Sequence, residues 1–438
     1  MMTAKQTTLE TRMKAGDASM ERPDVLVVGA GPVGLSLAIA LATRGLSVTV
    51  ADARTEQAAA GDPRTLALSY GTRLTLERLG VWSSLAPTPI DAIHVSQQGG
   101  FGRSLIRATE EQVPALGYVA GAGELAAALQ ARARALGVHL RYHTEAIPEP
   151  TDTPPGTTEP GRTRVVLRAA GEPGRPGGRN GPPIPAHLPS TADATPAPDR
   201  DAVPAHCAPR LVAHAEGGLR ADQPGVAEHD YRQHALIGFV DVQGGHRGTA
   251  YERFTAEGPV ALLPCGTRHA LVHVATPATA DALMALDDAH YLARLQSHLG
   301  GRVTLTGLSE RQRYPLMLRY RREPVGPRSV WLGNAAQTLH PVAGQGFNLA
   351  LRDVWALAEA LRDGDDPGDA ALLARFARDR GLDRLATIRF TDTLVRVFSN
   401  DFAPLRRMRG IGLFALDLCP PLRSFVARRM MFGARAWP

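Results

Sequence analysis

Cysteine is scarce in this chain, with Cys207, Cys265 and Cys419 the only three among 438 residues. They lie far apart, without a CxxC pair or a Cys/His cluster. That spacing argues against a zinc site or a disulfide framework and for a reducing compartment, so no metal is expected. The first twenty residues, MMTAKQTTLETRMKAGDASM, lack both an apolar core and a twin arginine. They do not read as a secretory signal, and a disordered leader is expected over 1–21. Long apolar runs are also missing. The nearest candidate, Val25 to Ala42, has 18 residues without a charge, but three glycines and a proline interrupt it. A membrane span is therefore not the natural reading, although the length alone would allow one. With 44% hydrophobic and 21% charged residues the composition is that of a soluble globular protein. A chain of 438 residues exceeds one simple core, and two or three domains are expected.

The interrupted run makes sense as a strand, a turn and a helix. VLVV reads as a buried parallel strand, GAGPVG as the turn, and LSLAIALATR as a helix stopped by Gly45. Leu35, Ala38, Ile39 and Ala42 then share one helix face. LSVTVADA follows as a second strand and completes a βαβ unit. Gly29, Gly31 and Gly34 match the dinucleotide fingerprint G-x-G-x-x-G. The first permits the tight turn, the second lets the backbone approach a pyrophosphate, and the third lets helix and strand pack closely. Unpaired N–H groups at the helix N-terminus favour the negative phosphates. Asp52 ends the second strand, 23 residues after Gly29, where a carboxylate can accept from both ribose hydroxyls. This suits a free 2′-OH, as in FAD or NAD, and the first motif alone leaves the two open.

Roughly 300 residues later, SVWLGNAAQTLHPVAGQGFNLALRDVWALAEAL places a second glycine turn between a strand and a long helix. A nicotinamide dehydrogenase has no use for such a turn, whereas an extended FAD needs a separate strand–turn–helix at its ring end. GNAAQTLHPVAGQGFNLALRD resembles the second FAD motif of the class A flavoprotein aromatic hydroxylases, in particular those of ubiquinone biosynthesis. Within that group the resemblance is closest to the 2-polyprenyl-6-methoxyphenol hydroxylases. DPRTLALSYGTRLTLERLGVWSSL, AYERFTAEGPVALLP and ATIRFTDTLVRVFSNDFAPLRRMRGIGLFALDL extend it over most of the chain.

The resemblance implies a cofactor, a reaction and a set of positions. FAD would be bound and reduced by NAD(P)H, and a flavin C4a-hydroperoxide would pass its oxygen to the ring of a polyprenylated methoxyphenol. Other quinone-precursor positions, a soluble aromatic substrate and a non-catalytic FAD-binding subunit stay open. Gly344 and Gly346 are expected to bring the backbone against the flavin edge. Unpaired N–H groups of about Phe347 and Asn348 would stabilise the reduced, anionic ring. Arg64 matches an arginine near the cofactor. Asn334 stands where the broader family has an aspartate on the ribityl chain, and Glu216 with Gly217 stands for the family's Asp-Gly. Near 122 relatives carry a polar or arginine side chain, and Ala122 and Gly123 supply none. Pro341 would stiffen the loop facing the ring. His340 is a candidate for contacting the phenol, since imidazole titrates near neutrality; a loop histidine bonded to backbone is the alternative. Tyr251 and Arg253 carry no assignment, because strand alternation alone would explain them. No second GxGxxG exists for the reductant, which would bind transiently.

The expected fold is α/β, with an interrupted, Rossmann-like FAD-binding domain of the para-hydroxybenzoate-hydroxylase type over 22–90, 115–230 and 310–365. A smaller antiparallel-sheet substrate domain is expected over 91–114 and 231–309, and C-terminal helices over 366–438. Residues 170–208 hold nine prolines in 39 positions and no aromatic, and read as a surface insertion between two hairpin strands, TRVVLRA and PRLVAHAEGG. The final 36 residues carry seven arginines against Asp417, which accounts for the whole net charge of +6. Apolar residues alternate with these arginines. Two readings stand: an interfacial helix on anionic lipid, or a basic helix pair packed on the FAD domain at a subunit contact or acidic partner. The expected partners are thus a prenylated phenol and O2, with a peripheral membrane contact or an assembly of ubiquinone-biosynthesis proteins, and no nucleic acid. The expected location is cytoplasmic, with attachment to the inner face of the cell membrane as a second option.

Overall fold

The computed structural model describes residues 21–149, 161–170, 205–362, 364–399 and 402–433. All of the expected leader but Glu21, and nearly all of the expected insertion, lie outside the described residues. A six-stranded sheet runs in the order Val325–Gly326, Ser329–Trp331, Leu211–His214, Val25–Val28, Val48–Ala51, His139–Arg141. All neighbours are parallel except the first pair, which forms a hairpin. The register aligns Val28 with both Ala51 and His214, and His214 with Trp331, so four adjacent strands end together at one edge. The helix Pro32–Ala42 buries every residue from Gly34 to Leu41, not one face alone. It lies between the sheet and the helices Ala122–Ala135 and Gln345–Ala360, which explains its uniformly apolar sequence. Among the described residues no single helix is long and apolar enough to cross a membrane.

The second sheet has nine strands, in the order Gln337–Thr338, Gln312–Arg321, Val226–Val242, Arg268–Ala275, Pro259–Cys265, Thr249–Phe254, Ala92–Gln97, Arg103–Arg107, with Leu305–Leu308 also paired to Val226–Val242. It has more strands than the cofactor sheet. It is antiparallel except where Thr249–Phe254 runs parallel to Ala92–Gln97. The helices Pro277–Ala285 and Asp288–Leu299 cover one face, with Leu236, Val260, Leu262, Tyr291 and Leu295 in the core between them. The other face meets the cofactor domain. Gln312–Arg321, which follows residue 310, pairs with Val226–Asp230 and, past a bulge, with Gln233–Ile237 of the large sheet, because ladder bonds across a long strand outweigh proximity in sequence to the next motif. The strand Leu211–His214 also departs from expectation. It joins the parallel sheet, and Val165–Ala169 pairs antiparallel with Ala205–Cys207 on one side and Thr144–Pro148 on the other.

The C-terminal region is helical, as Ala370–Phe398, Ala403–Leu418 and Pro420–Phe432. The last two meet at a 99° bend. Ala427 and Met431 are buried against Ala108 and Leu116, so the final helix packs on the body of the protein.

Candidate active site

The glycines after the first strand behave in three different ways. Gly29 has φ +106°, and a Cβ there would lie 2.6 Å from the Glu216 Cα. Gly34 would put a Cβ 1.9 Å from the Gly29 carbonyl oxygen. Gly31 is in extended backbone at the N-cap (φ −78°, ψ 174°), and its Cβ would meet nothing nearer than an Arg54 guanidinium nitrogen at 4.0 Å. Two of the glycines therefore serve the fold, and Gly31 faces open space.

That space is a cleft of about 1630 Å³ at the carboxyl edge of the parallel sheet. Gly29 and Gly31, Asp52, Glu216 and Asn334 all line it, each one to three residues past the end of one of four adjacent strands. Ligands of open α/β sheets bind at this edge, so the register decides the convergence. Arg64, Pro341, Gly346 and Phe347 line the cleft as well, which brings both glycine turns to one cavity.

Asp52 is 6% exposed, and its four acceptor positions are taken. Oδ2 accepts from Ala30 N–H at 2.7 Å and Arg54 Nη2 at 2.8 Å; Oδ1 accepts from Arg54 N–H at 2.8 Å and Nε at 3.0 Å. Burial pushes the carboxyl up, but the Arg54 hydrogen bonds and charge outweigh it and hold Asp52 below the usual carboxylate range. For Asp52 to accept ribose hydroxyls, the Arg54 side chain must turn aside. Arg54 lines the same cleft and was overlooked in the sequence, although a cation two residues past the strand-ending acid was a legible signal. Arg64 is tied to Asp62 by Nη2 at 2.6 Å. Glu216 Oε1 lies 3.4 Å from His214 Nδ1, and His214 stacks on Trp331 at 5.1 Å.

At the second turn, Ala343 and Gly344 are both left-handed, with φ of 61° and 59°. A Cβ on Gly344 would lie 2.8 Å from the Ala67 Cβ. Gly344 thus makes the turn instead of facing the cleft, whereas a Cβ on Gly346 meets nothing within 4 Å. The Asn348 side chain is likewise structural. Its Oδ1 accepts from Ser69 N–H (2.9 Å) and the Thr72 hydroxyl (2.7 Å), and its Nδ2 donates to Ala67 O (3.0 Å) and Gly344 O (2.7 Å). These bonds pin the turn to the strand Thr65–Ser69. The first-turn backbone N–H groups of Gln345–Ala360 have no partner within the helix and no side-chain cap from Gly344. His340 is 1% exposed; its Nδ1 accepts from Val342 N–H at 3.1 Å, and its ring meets Tyr231 edge to face at 5.3 Å. Burial drives its pKa down to about 3, so the imidazole is neutral at physiological pH. The ring does not line the cleft. It has the backbone-bonded arrangement, with Nε2 left without a partner among the described residues.

The residues present fit FAD: an open cradle at Gly31 beside a helix N-terminus, polar groups along the cleft, and a second helix N-terminus at Gly346. The FAD binding domain family profile matches residues 22–155 and 228–388. The chain is 33% identical over 429 residues to the ubiquinone hydroxylase UbiL of Rhodospirillum rubrum, covering 95% of this chain and 91% of the relative. It is 28% identical over 406 residues to the 3-demethoxyubiquinol 3-hydroxylase of Escherichia coli, covering 90% and 94%. Among solved structures, the p-nitrophenol 4-monooxygenase of Pseudomonas putida superposes with a TM-score of 0.69 at 16% identity, over 95% of this chain and all of the other. The FAD complex of an HpxO variant from Klebsiella pneumoniae does so at 0.67 and 15%, over 94% and 99%. The chain belongs to the FAD binding domain family and is a flavoprotein monooxygenase with FAD as its cofactor.

Proposed function

We propose that this protein hydroxylates the aromatic ring of a polyprenylated methoxyphenol on the route to ubiquinone, with NAD(P)H as reductant and O2 as oxidant. The observation that carries the reading is the meeting of both glycine turns in one cleft, in a chain similar over its length to ubiquinone hydroxylases. When bound, FAD supplies the two-electron chemistry that splits O2, one oxygen atom going to the ring and the other to water. The chain's own work is positional and electrostatic. The N-terminus of Pro32–Ala42 would hold the pyrophosphate, and that of Gln345–Ala360 would balance negative charge at the ring end. Phe254 of the large sheet packs with Val342 and Val395, closing the loop before Gln345 against the sheet and excluding water there. The test is NAD(P)H-dependent O2 consumption by the purified protein, with 2-methoxy-6-prenylphenol present and absent and the product identified by mass. Absence of bound flavin, or no hydroxylated product, refutes the reading.

The surface on which such a substrate is delivered is, in this reading, an anionic membrane on the cytoplasmic side. Supporting it, Phe402, Met408, Ile411, Phe414, Leu418, Leu422 and Phe425 are exposed on the last helices, in the segment that carries the chain's basic surplus. Part of that charge is engaged by the protein: Arg423 pairs with Glu110 at 3.1 Å and Arg428 with Glu111 at 3.6 Å. Each remaining cation near anionic lipid adds about 1 kcal/mol, and salt weakens it. Flotation with anionic vesicles at low salt, release at high salt, and loss of flotation in F414S/L418S/F425S variants are expected. Flotation unchanged by those substitutions refutes this surface.

A further inference from the structure

Strand alternation draws the eye to Tyr251 and Arg253, and both point away from the cofactor domain. Tyr251 packs with the core under Asp288–Leu299, and Arg253 Nε donates to the His298 carbonyl at 2.8 Å. The residue between them, Glu252, takes the opposite face. Its neighbours on the same strand show where that face leads. Ala250 packs with Ile90 and Val119, on the other two strands of the three-stranded sheet that contains Thr65–Ser69. Phe254, about 7 Å further along the strand, packs with Val342, Val395 and Phe398. Val342 belongs to the loop that enters the second glycine turn. Glu252 therefore sits in the interface between the large sheet and the ring end of the cofactor cleft. Its lateral neighbours in register are Val95 and Ala261, both apolar.

A carboxylate in such a place needs a partner, and Oε1 of Glu252 is sealed from solvent with no hydrogen-bond partner among the described residues. The residue as a whole is half-buried, and its carboxyl lies in the interface rather than in the wall of the cleft. Burial alone pushes its carboxyl up to about 7. Leaving a buried acceptor unsatisfied costs about 1–3 kcal/mol, more if charged. Such groups recur where a substrate supplies the missing partner.

We propose that Glu252 is the catalytic base that accepts the proton of the substrate's ring hydroxyl. The phenolic O–H bond breaks, the proton passes to the carboxylate, and the electron pair remaining on oxygen enriches the ortho and para ring carbons that receive the oxygen atom. The other groups facing this interface are poorly suited. Tyr231, beside a bulge in Val226–Val242, has its hydroxyl bonded to Asp392 at 3.1 Å. His340 has its Nδ1 occupied by Val342 N–H. Arg409, on the helix over this end of the sheet, donates to the Phe398 carbonyl at 2.9 Å. His94 lies with Tyr251 on the far face.

The assignment rests on the phenol-hydroxylase reading above, and its test separates the two. A fluorinated 2-methoxy-6-prenylphenol bound to the holoenzyme is followed by 19F NMR between pH 5 and 9, beside turnover, for wild type, Glu252→Gln and Glu252→Asp. The expected wild-type result is a shift in the bound-ligand resonance, and a rise in hydroxylation, with an apparent midpoint about pH 7. Glu252→Gln keeps its FAD and melting temperature, shows a flat resonance, and loses about 100-fold or more in hydroxylation. Glu252→Asp recovers part of the rate with the pH response retained. If Glu252→Gln matches wild type in both profiles, the base is elsewhere and the phenol reading stands. If wild type neither binds nor hydroxylates the phenol, the reading falls and this assignment with it.

Discussion

The three glycines of the first turn yield one motif with opposite expected outcomes. Gly31→Val places its branched side chain in open cleft, on backbone that any residue adopts, so the apoprotein should melt within a degree or two of wild type. The same side chain occupies the place of a pyrophosphate. Losing two charge-assisted N–H bonds at about 1.5–3 kcal/mol each removes about 3–6 kcal/mol, or about 10²–10⁴ in affinity. Gly29→Ala meets Glu216 backbone at 2.6 Å with φ at +106°. Strained backbone at about 1–3 kcal/mol and overpacking at about 1–3 kcal/mol predict about 2–6 kcal/mol of lost stability before any cofactor is added. The assay pairs thermal unfolding of apoprotein with FAD titration followed by flavin fluorescence. Wild-type FAD affinity in Gly31→Val, or apoprotein destabilised as far as in Gly29→Ala, refutes the division of roles.

Gly346→Val also projects into open space; it should keep some FAD by its pyrophosphate end, yet hydroxylate poorly because the ring is displaced from the helix N-terminus. Equal product from variant and wild type would remove that role. His340 has a folded pKa driven far below its unfolded value, so its contribution to stability is present above about pH 6.5 and lost as pH falls toward 3. Denaturant melts between pH 7 and 4 should show a shallower decline in His340→Gln; identical slopes refute it. Excising 173–202 while keeping the strand Ala205–Cys207 should leave FAD content and turnover intact, since loop closure depends weakly on length; loss of either shows that the segment binds or packs.

The local parts of the cofactor site were legible because each is a short-range device. A strand, three glycines and an apolar run state their own geometry, and so does a glycine pair ahead of a long helix. Asp52 was legible as a strand-ending acid, but its saturation by Arg54 was not, because a side chain's free lone pairs depend on rotamers that spacing does not encode. Gly344 and Gly346 look alike in sequence; only the approach of Ala67, from some 280 residues away, makes one a turn and the other a window. The strand Gln312–Arg321 sits beside the second cofactor motif in sequence and in the other sheet in space, since non-local pairing is decided by the whole ladder. Sequence by itself determined that the chain has a dinucleotide cradle and a second glycine turn for an extended cofactor. Tertiary structure alone decided that four strands end in register so that these meet in one cleft, and that Phe254 and the other residues on its face of Thr249–Phe254, Glu252 included, take the side that packs on the loop before Gln345 while Tyr251 and Arg253 take the other.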